Sequence, residues 1–168
     1  LDDAERYQTV FSDRPASAAA PTAGLHLTER VLTALGERGV GTAQVELVVG
    51  LDTFRPLSTD TVEDHQIHTE RYSVPDAAWD AVTRTRADGG RVVAVGTTSV
   101  RALESRAARG ESSGRTDLFI TPGFEFQVVD QMITNFHMPR TSLLALVQAF
   151  VGPHWRDLYA TALDAGYR

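Results

Sequence analysis

The stretch Arg91-Val92-Val93-Ala94-Val95-Gly96-Thr97-Thr98-Ser99-Val100-Arg101-Ala102-Leu103-Glu104-Ser105 constrains this chain more than any other. Apolar, mostly β-branched residues run into a glycine, pass through three hydroxyls and continue at helical spacing. That is the pattern of a buried strand, a polar turn and a helix. A helix start leaves backbone N–H groups without intrahelical partners, and together with the helix dipole these attract anions. In open α/β folds ligands bind beyond the carboxyl ends of strands. The active site is therefore expected around this turn.

From the N-terminus, Tyr7-Gln8-Thr9-Val10-Phe11 reads as a short strand before a Pro/Ala/Ser-rich loop. Pro21-Thr22-Ala23-Gly24-Leu25-His26 is a constrained turn. Thr28 caps a helix with the apolar stripe Val31, Leu32 and Leu35, which Gly39 ends. Residues 42–49 alternate like a half-buried strand. Asp52, Thr53, Phe54 and Arg55 follow in a turn, and residues 57–73 lack a clear period. Proline and paired glycines bracket a second helix, Pro75 to Asp88. Beyond strand 91–95, a helix runs from Ser99 to Arg109 and residues 110–117 form a polar linker. Apolar runs at 118–120 and 124–129 read as strands. Met132 to Pro139 lead into a helix over 141–151 as a second strand–turn–helix unit, and an amphipathic helix covers 154–165. Alternating strands and helices predict one α/β domain over residues 1–168, with a largely parallel sheet.

A hydrophobic fraction of 42% is enough for a core, and no apolar run approaches the roughly 18–20 residues that cross a bilayer. Without cysteine, disulfides and thiolate metal sites are excluded. The cytoplasm is the expected compartment, and no membrane partner is expected. Because the chain begins Leu1-Asp2-Asp3 and ends on Tyr167-Arg168 directly after a helical run, both ends are expected to be cuts. The net charge of −6 argues against a nucleic-acid partner, but its distribution is uneven. Residues 81–115 carry seven Arg against three acids, whereas residues 1–80 carry six against fourteen. Such a basic segment on an acidic body can meet phosphates or be a solvated helical face.

The Gly96-Thr97-Thr98-Ser99 turn can offer N–H groups and hydroxyls to a carboxylate, phosphate or ribose, or Thr98 or Ser99 can merely cap the helix. A cation in the first helical turn opposes the dipole, so Arg101 calls for an anionic partner, Glu104 or a ligand. His26, His65, His68 and His137 all lie in turns or irregular segments, which makes them candidates for proton transfer. The three-residue spacing of His65 and His68 suits a metal on a helix, so a metal-dependent hydrolase stays open as an alternative. Phe54 and Phe136 stand among polar turn residues where a ring can stack on a base or pack under its loop. Asn135 can hydrogen-bond a heterocycle edge.

Several of these motifs, in this order, resemble the S-adenosylmethionine:tRNA ribosyltransferase-isomerase family of queuosine biosynthesis. They are Pro21-Thr22-Ala23-Gly24-Leu25-His26, Thr53-Phe54-Arg55-Pro56, His68-x-Glu70, Gly96-Thr97-Thr98-Ser99-Val100-Arg101 with Leu103-Glu104-Ser105, and Ile133-Thr134-Asn135-Phe136-His137. The resemblance covers about Tyr7 to Gly152. It implies the C-terminal half of a barrel-like α/β core, without an N-terminal portion that includes an inserted β-barrel domain and without a short C-terminal tail. Such a fragment is expected to be inactive alone.

The implied reaction moves the ribosyl part of S-adenosylmethionine, a co-substrate, onto a 7-deazaguanine (preQ1) in tRNA. It gives epoxyqueuosine with release of adenine and methionine, and no metal is expected. The sulfonium acidifies the C5′–H, so a positioned base can begin the rearrangement, while the departing adenine and the opening sugar need donors. The resemblance implies His26, His68 and His137 as candidates for the proton transfers. It implies Thr22, Gly24, Thr53, Phe54, Gly96, Thr97, Thr98, Ser99, Arg101, Glu104, Asn135 and Phe136 as binding positions. Asp52 departs from the family's pattern, where glycine is expected. With the acidic balance and the lack of lysine, Asp52 leaves open a relative that binds S-adenosylmethionine without modifying tRNA.

Overall fold

The computed structural model describes residues 7–13, 16–50 and 68–167. Local chemistry sets most helix ends. Thr28, in extended backbone, accepts the Val31 N–H at 3.3 Å and starts α1 (Glu29–Glu37). Pro75 is the N-cap of α2 (Asp76–Ala87), with Asp76 in the first turn and Arg84 and Arg86 in the last, all complementing the dipole. Helix α3 spans Thr97–Arg109 and so begins two residues before the expected Ser99. Thr141 accepts the Leu144 N–H at 3.3 Å and caps α4 (Ser142–Val151). A short 3-10 turn, Gly152–His154, then leads into α5 (Trp155–Asp164).

The strands are β1 (Glu46–Val48), β2 (Glu70–Ser73), β3 (Val93–Val95), β4 (Ser113–Thr116) and β5 (Gln131–Ile133). The fold is α/β, but the expected largely parallel sheet is not what forms. Among the described residues, β1, β2 and β4 make a three-stranded antiparallel sheet in the order β1-β2-β4, and only β3 and β5 pair in parallel. These two small sheets do not close into a barrel.

Three local expectations also change. Residues 7–11 form turns rather than a strand. The polar linker contains β4, an edge strand, where polar composition is tolerated because one side faces solvent. The apolar runs at 118–120 and 124–129 are not strands. Ile120, Val128 and Val129 are buried, but the N–H groups of Gln127, Val128 and Val129 are taken by one side chain, Glu104, instead of a neighbouring strand.

Helix α3 organises the interior. Val100 and Ala102 are fully buried, and the surrounding cluster includes Leu47, Tyr72, Val74, Leu103, Ile120, Val128 and Leu146. Each large aliphatic side chain so buried contributes about 1.5–3 kcal/mol. The polar residues of α3 are buried as well, and buried polar groups are costly unless partnered. Arg101 pairs with Glu70, and its Nε donates to the Leu118 carbonyl at 3.2 Å. Ser105 and Thr116 share a hydroxyl–hydroxyl bond of 2.6 Å. Arg106 donates to the Val74 carbonyl and to Asp76 Oδ1, and stacks over Trp79. These bonds pin α3 along β2, so that the first turn of the helix lies at the Glu70 end of the sheet.

Candidate active site

Gly96 ends β3 and is the N-cap of α3 at φ 93° and ψ 143°, backbone open to glycine and strained for any other residue. A Cβ there would also stand 3.3 Å from Thr98 Oγ1. No side chain caps this helix, contrary to the capping role open to Thr98 or Ser99. Ser99 instead donates its hydroxyl back to the Val95 carbonyl at 2.8 Å. Thr97 is buried, whereas Thr98 and Ser99 are half-buried.

Two long-range hydrogen bonds bring the neighbouring motifs to this turn. The Gly96 N–H donates to the Ile133 carbonyl at 2.8 Å, joining the ends of β3 and β5. Asn135 Nδ2 donates to Thr22 Oγ1 at 2.9 Å, tying the loop after β5 to the 3-10 turn Thr22–His26. Within that turn Gly24 is buried so tightly that a Cβ would lie 3.2 Å from both Phe11 Cε2 and Thr9 Cγ2. The segments 22–26, 96–99 and 133–137, far apart in sequence, thus form one neighbourhood.

Two of the three histidine candidates sit there. His26 is exposed, with Nδ1 3.2 Å from the Ala23 carbonyl. A carbonyl only accepts, so in this contact Nδ1 is the donor. His137 is half-buried, and burial holds its imidazole below the ordinary histidine range. Its Nε2 lies 2.9 Å from Thr134 Oγ1, and its backbone N–H donates to the Tyr159 hydroxyl at 3.3 Å. A histidine held neutral at pH 7 is suited to accept a proton. His68 is exposed, two residues before β2.

Phe136 is held edge-on by Tyr159 with ring centroids 4.9 Å apart, and Tyr159 meets Trp155 at 5.7 Å. Tyr159 and Trp155 belong to none of the motifs. Their spacing of four on the last helix was the available signal, since it places both rings on one face.

Arg101 and Glu104 are both engaged within the fold. Arg101 is 4% exposed and pairs with Glu70 rather than with Glu104. Glu104 is fully buried, and its two oxygens accept three backbone N–H groups at 2.8–3.0 Å. Thr53, Phe54, Asp52 and His65 lie outside the described residues. Among the described residues no group of three or more His, Asp or Glu could hold a metal ion, and no helix is long and apolar enough to cross a membrane.

Residues 1–168 match the family described as queuosine biosynthesis protein. The chain belongs to this family. The S-adenosylmethionine:tRNA ribosyltransferase-isomerase of Azoarcus sp. (strain BH72) is 53% identical over 170 residues, which cover 99% of this chain and 49% of the relative. The protein of the same name from Burkholderia pseudomallei (strain K96243) is 50% identical over 175 residues, covering 99% and 49%. A crystal structure of S-adenosylmethionine tRNA ribosyltransferase from Thermotoga maritima superposes with a TM-score of 0.71 at 41% identity, over 87% of this chain and 47% of that one. The chain spans about half the length of the curated relatives it matches. Within the queuosine biosynthesis family, the neighbourhood built by residues 22–26, 96–99 and 133–137 is the candidate site of this half.

Proposed function

We propose that the protein acts as an S-adenosylmethionine:tRNA ribosyltransferase-isomerase in the cytoplasm, with S-adenosylmethionine and a preQ1-bearing tRNA as its substrates. This chain would serve as one α/β domain, the C-terminal half of the core. The observation that carries the reading is the convergence of three sequence-distant motifs through the Asn135–Thr22 and Gly96–Ile133 bonds. It is supported by relatives that bear this activity in their names.

In this reading the start of α3 holds the anionic end or the ribose hydroxyls of S-adenosylmethionine through the Thr97 and Thr98 backbone and the Thr98 and Ser99 side chains. Neutral His137 accepts the C5′ proton made acidic by the sulfonium. His26 and His68 serve the later proton movements as adenine leaves. Phe136 stacks on a base, with Asn135 and Thr22 fixing the edge of the same pocket and Gly24 letting the turn approach. Thr53 and Phe54 complete the binding positions. Arg101 and Glu104 support the site indirectly by fixing α3.

The test incubates the full-length gene product with S-adenosylmethionine and a tRNA carrying preQ1. Adenine is expected to be released only when that tRNA is present. A folded protein that releases no adenine under these conditions overturns the reading.

A further inference from the structure

The antiparallel sheet has two faces. One packs on α3 through Leu47, Glu70, Tyr72 and Thr116, all buried. On the other, the register places Val48, Arg71 and Arg115 in one row across β1, β2 and β4. Arg71 and Arg115 are direct cross-strand partners, and both are exposed. Directly opposed residues have Cβ atoms about 4.5–5.5 Å apart, and like charges there are destabilising.

Nothing among the described residues neutralises this pair. Among the described residues, the hydrogen bond of Arg115 goes to the Thr69 carbonyl at 3.4 Å, and neither arginine forms an ion pair. The arginines on the α3 side differ: Arg101, Arg106 and Arg109 pair with Glu70, Asp76 and Asp117. Among the described strand residues of that face, the one acid is Glu46, which stands in the next row opposite Ser73. The row adjoins Glu70 along the strands, on the opposite face of the sheet, and the Glu70–Arg101 bond marks the end of the sheet beside the first turn of α3. Two exposed guanidinium groups on neighbouring strands, at that end of an otherwise acidic chain, complement an anion with closely spaced charges.

We propose that Arg71 and Arg115 form a phosphate-contact row that binds the backbone of the RNA whose base enters the candidate site. This rests on the reading that tRNA is a substrate and adds the surface on which it docks. Two guanidinium groups on neighbouring strands can each meet a phosphate, and that contact replaces mutual repulsion with charge-assisted hydrogen bonds. The contact carries no sequence information and acts on affinity alone.

The experiment measures tRNA binding by the full-length gene product against salt concentration, for the wild type, Arg71→Gln/Arg115→Gln and Arg71→Lys/Arg115→Lys. Each phosphate contact contributes about 0.9 to the slope of log K against log salt on a duplex. The Gln double variant is expected to lose about 1.8 from that slope and to bind about tenfold or more weakly near 0.1 M salt. The Lys variant is expected to keep most of the slope, and the Gln variant to melt no lower than wild type. A Gln variant with wild-type slope and affinity overturns the proposal. So does weakened binding that comes with a lowered melting temperature and is not restored by Lys. A wild type that binds no tRNA overturns the functional reading itself, and this surface with it.

Discussion

The two strand–turn–helix units, β3 to α3 and β5 to α4, lie side by side in parallel yet solve the crossing from strand to helix in opposite ways. In the first, one glycine makes the whole turn, and α3 begins at the next residue without a side-chain cap. In the second, seven residues, Thr134 to Arg140, separate the strand from Thr141, whose hydroxyl closes the helix start. That longer turn needs left-handed backbone at Arg140, φ 57°. The first unit thus presents backbone donors, rigid because α3 is buried beneath them. The second presents side chains: Asn135, Phe136 and His137, held from outside by Thr22 and Tyr159. A substrate with an anionic end and an acidic C–H needs both kinds of group, and neither turn supplies them alone.

The comparison breaks first where the rigid unit is anchored. Glu104→Ala should cost about 3–5 kcal/mol, because two buried N–H groups and one part-buried N–H lose their acceptor, and chemical unfolding of the variant measures it. On the second turn, His137→Gln is expected to lower turnover about a hundredfold, the usual scale for an acid–base group, with little change in the denaturation midpoint at pH 7. The same variant tests the pH dependence of stability. Burial lowers the His137 pKa, so the unfolded chain takes up the proton first as pH falls below about 6.5. The stability of the wild type therefore declines with acid from that point down to the folded pKa, and the decline should be shallower in His137→Gln.

A smaller effect is expected from Gly96→Ala, about 1–3 kcal/mol from strained backbone, read as a lowered melting temperature together with weaker S-adenosylmethionine binding. Smallest is Thr141→Ala, about 1 kcal/mol from the lost cap, measured by urea unfolding. If Thr141→Ala were to reduce binding as much as Gly96→Ala does, the division of labour between the two turns would be wrong.

What could be read from the sequence follows the range of the forces involved. Thr28, Pro75 and the glycine after Val95 act within a few residues, and the helices they begin lie where expected to within two positions. The pairing of β2 with β4 and the Glu70 partner of Arg101 depend on residues 31 or more positions apart. No local pattern encodes such contacts. Residues 124–129 misled for a definite reason: Phe124, Phe126 and Val128 turn inward between the exposed Glu125 and Gln127, an alternation that strands and packed loops share. Only the distant Glu104 decides that the backbone need not pair as a strand. At the site, the motifs at 22–26, 96–99 and 133–137 were legible as segments, but their meeting through Asn135 and Thr22 and the support of His137 and Phe136 by Tyr159 were not.

The Asn135–Thr22 bond spans 113 positions, and this gives the site a place in time. At synthesis rates of about 5–20 residues per second, Thr22 is added to the chain roughly 6–23 s before the asparagine that it will bond. Until then the nascent polypeptide carries a histidine-bearing turn without the Asn135 bond to Thr22. Assembly of this neighbourhood therefore reports that translation has passed Asn135.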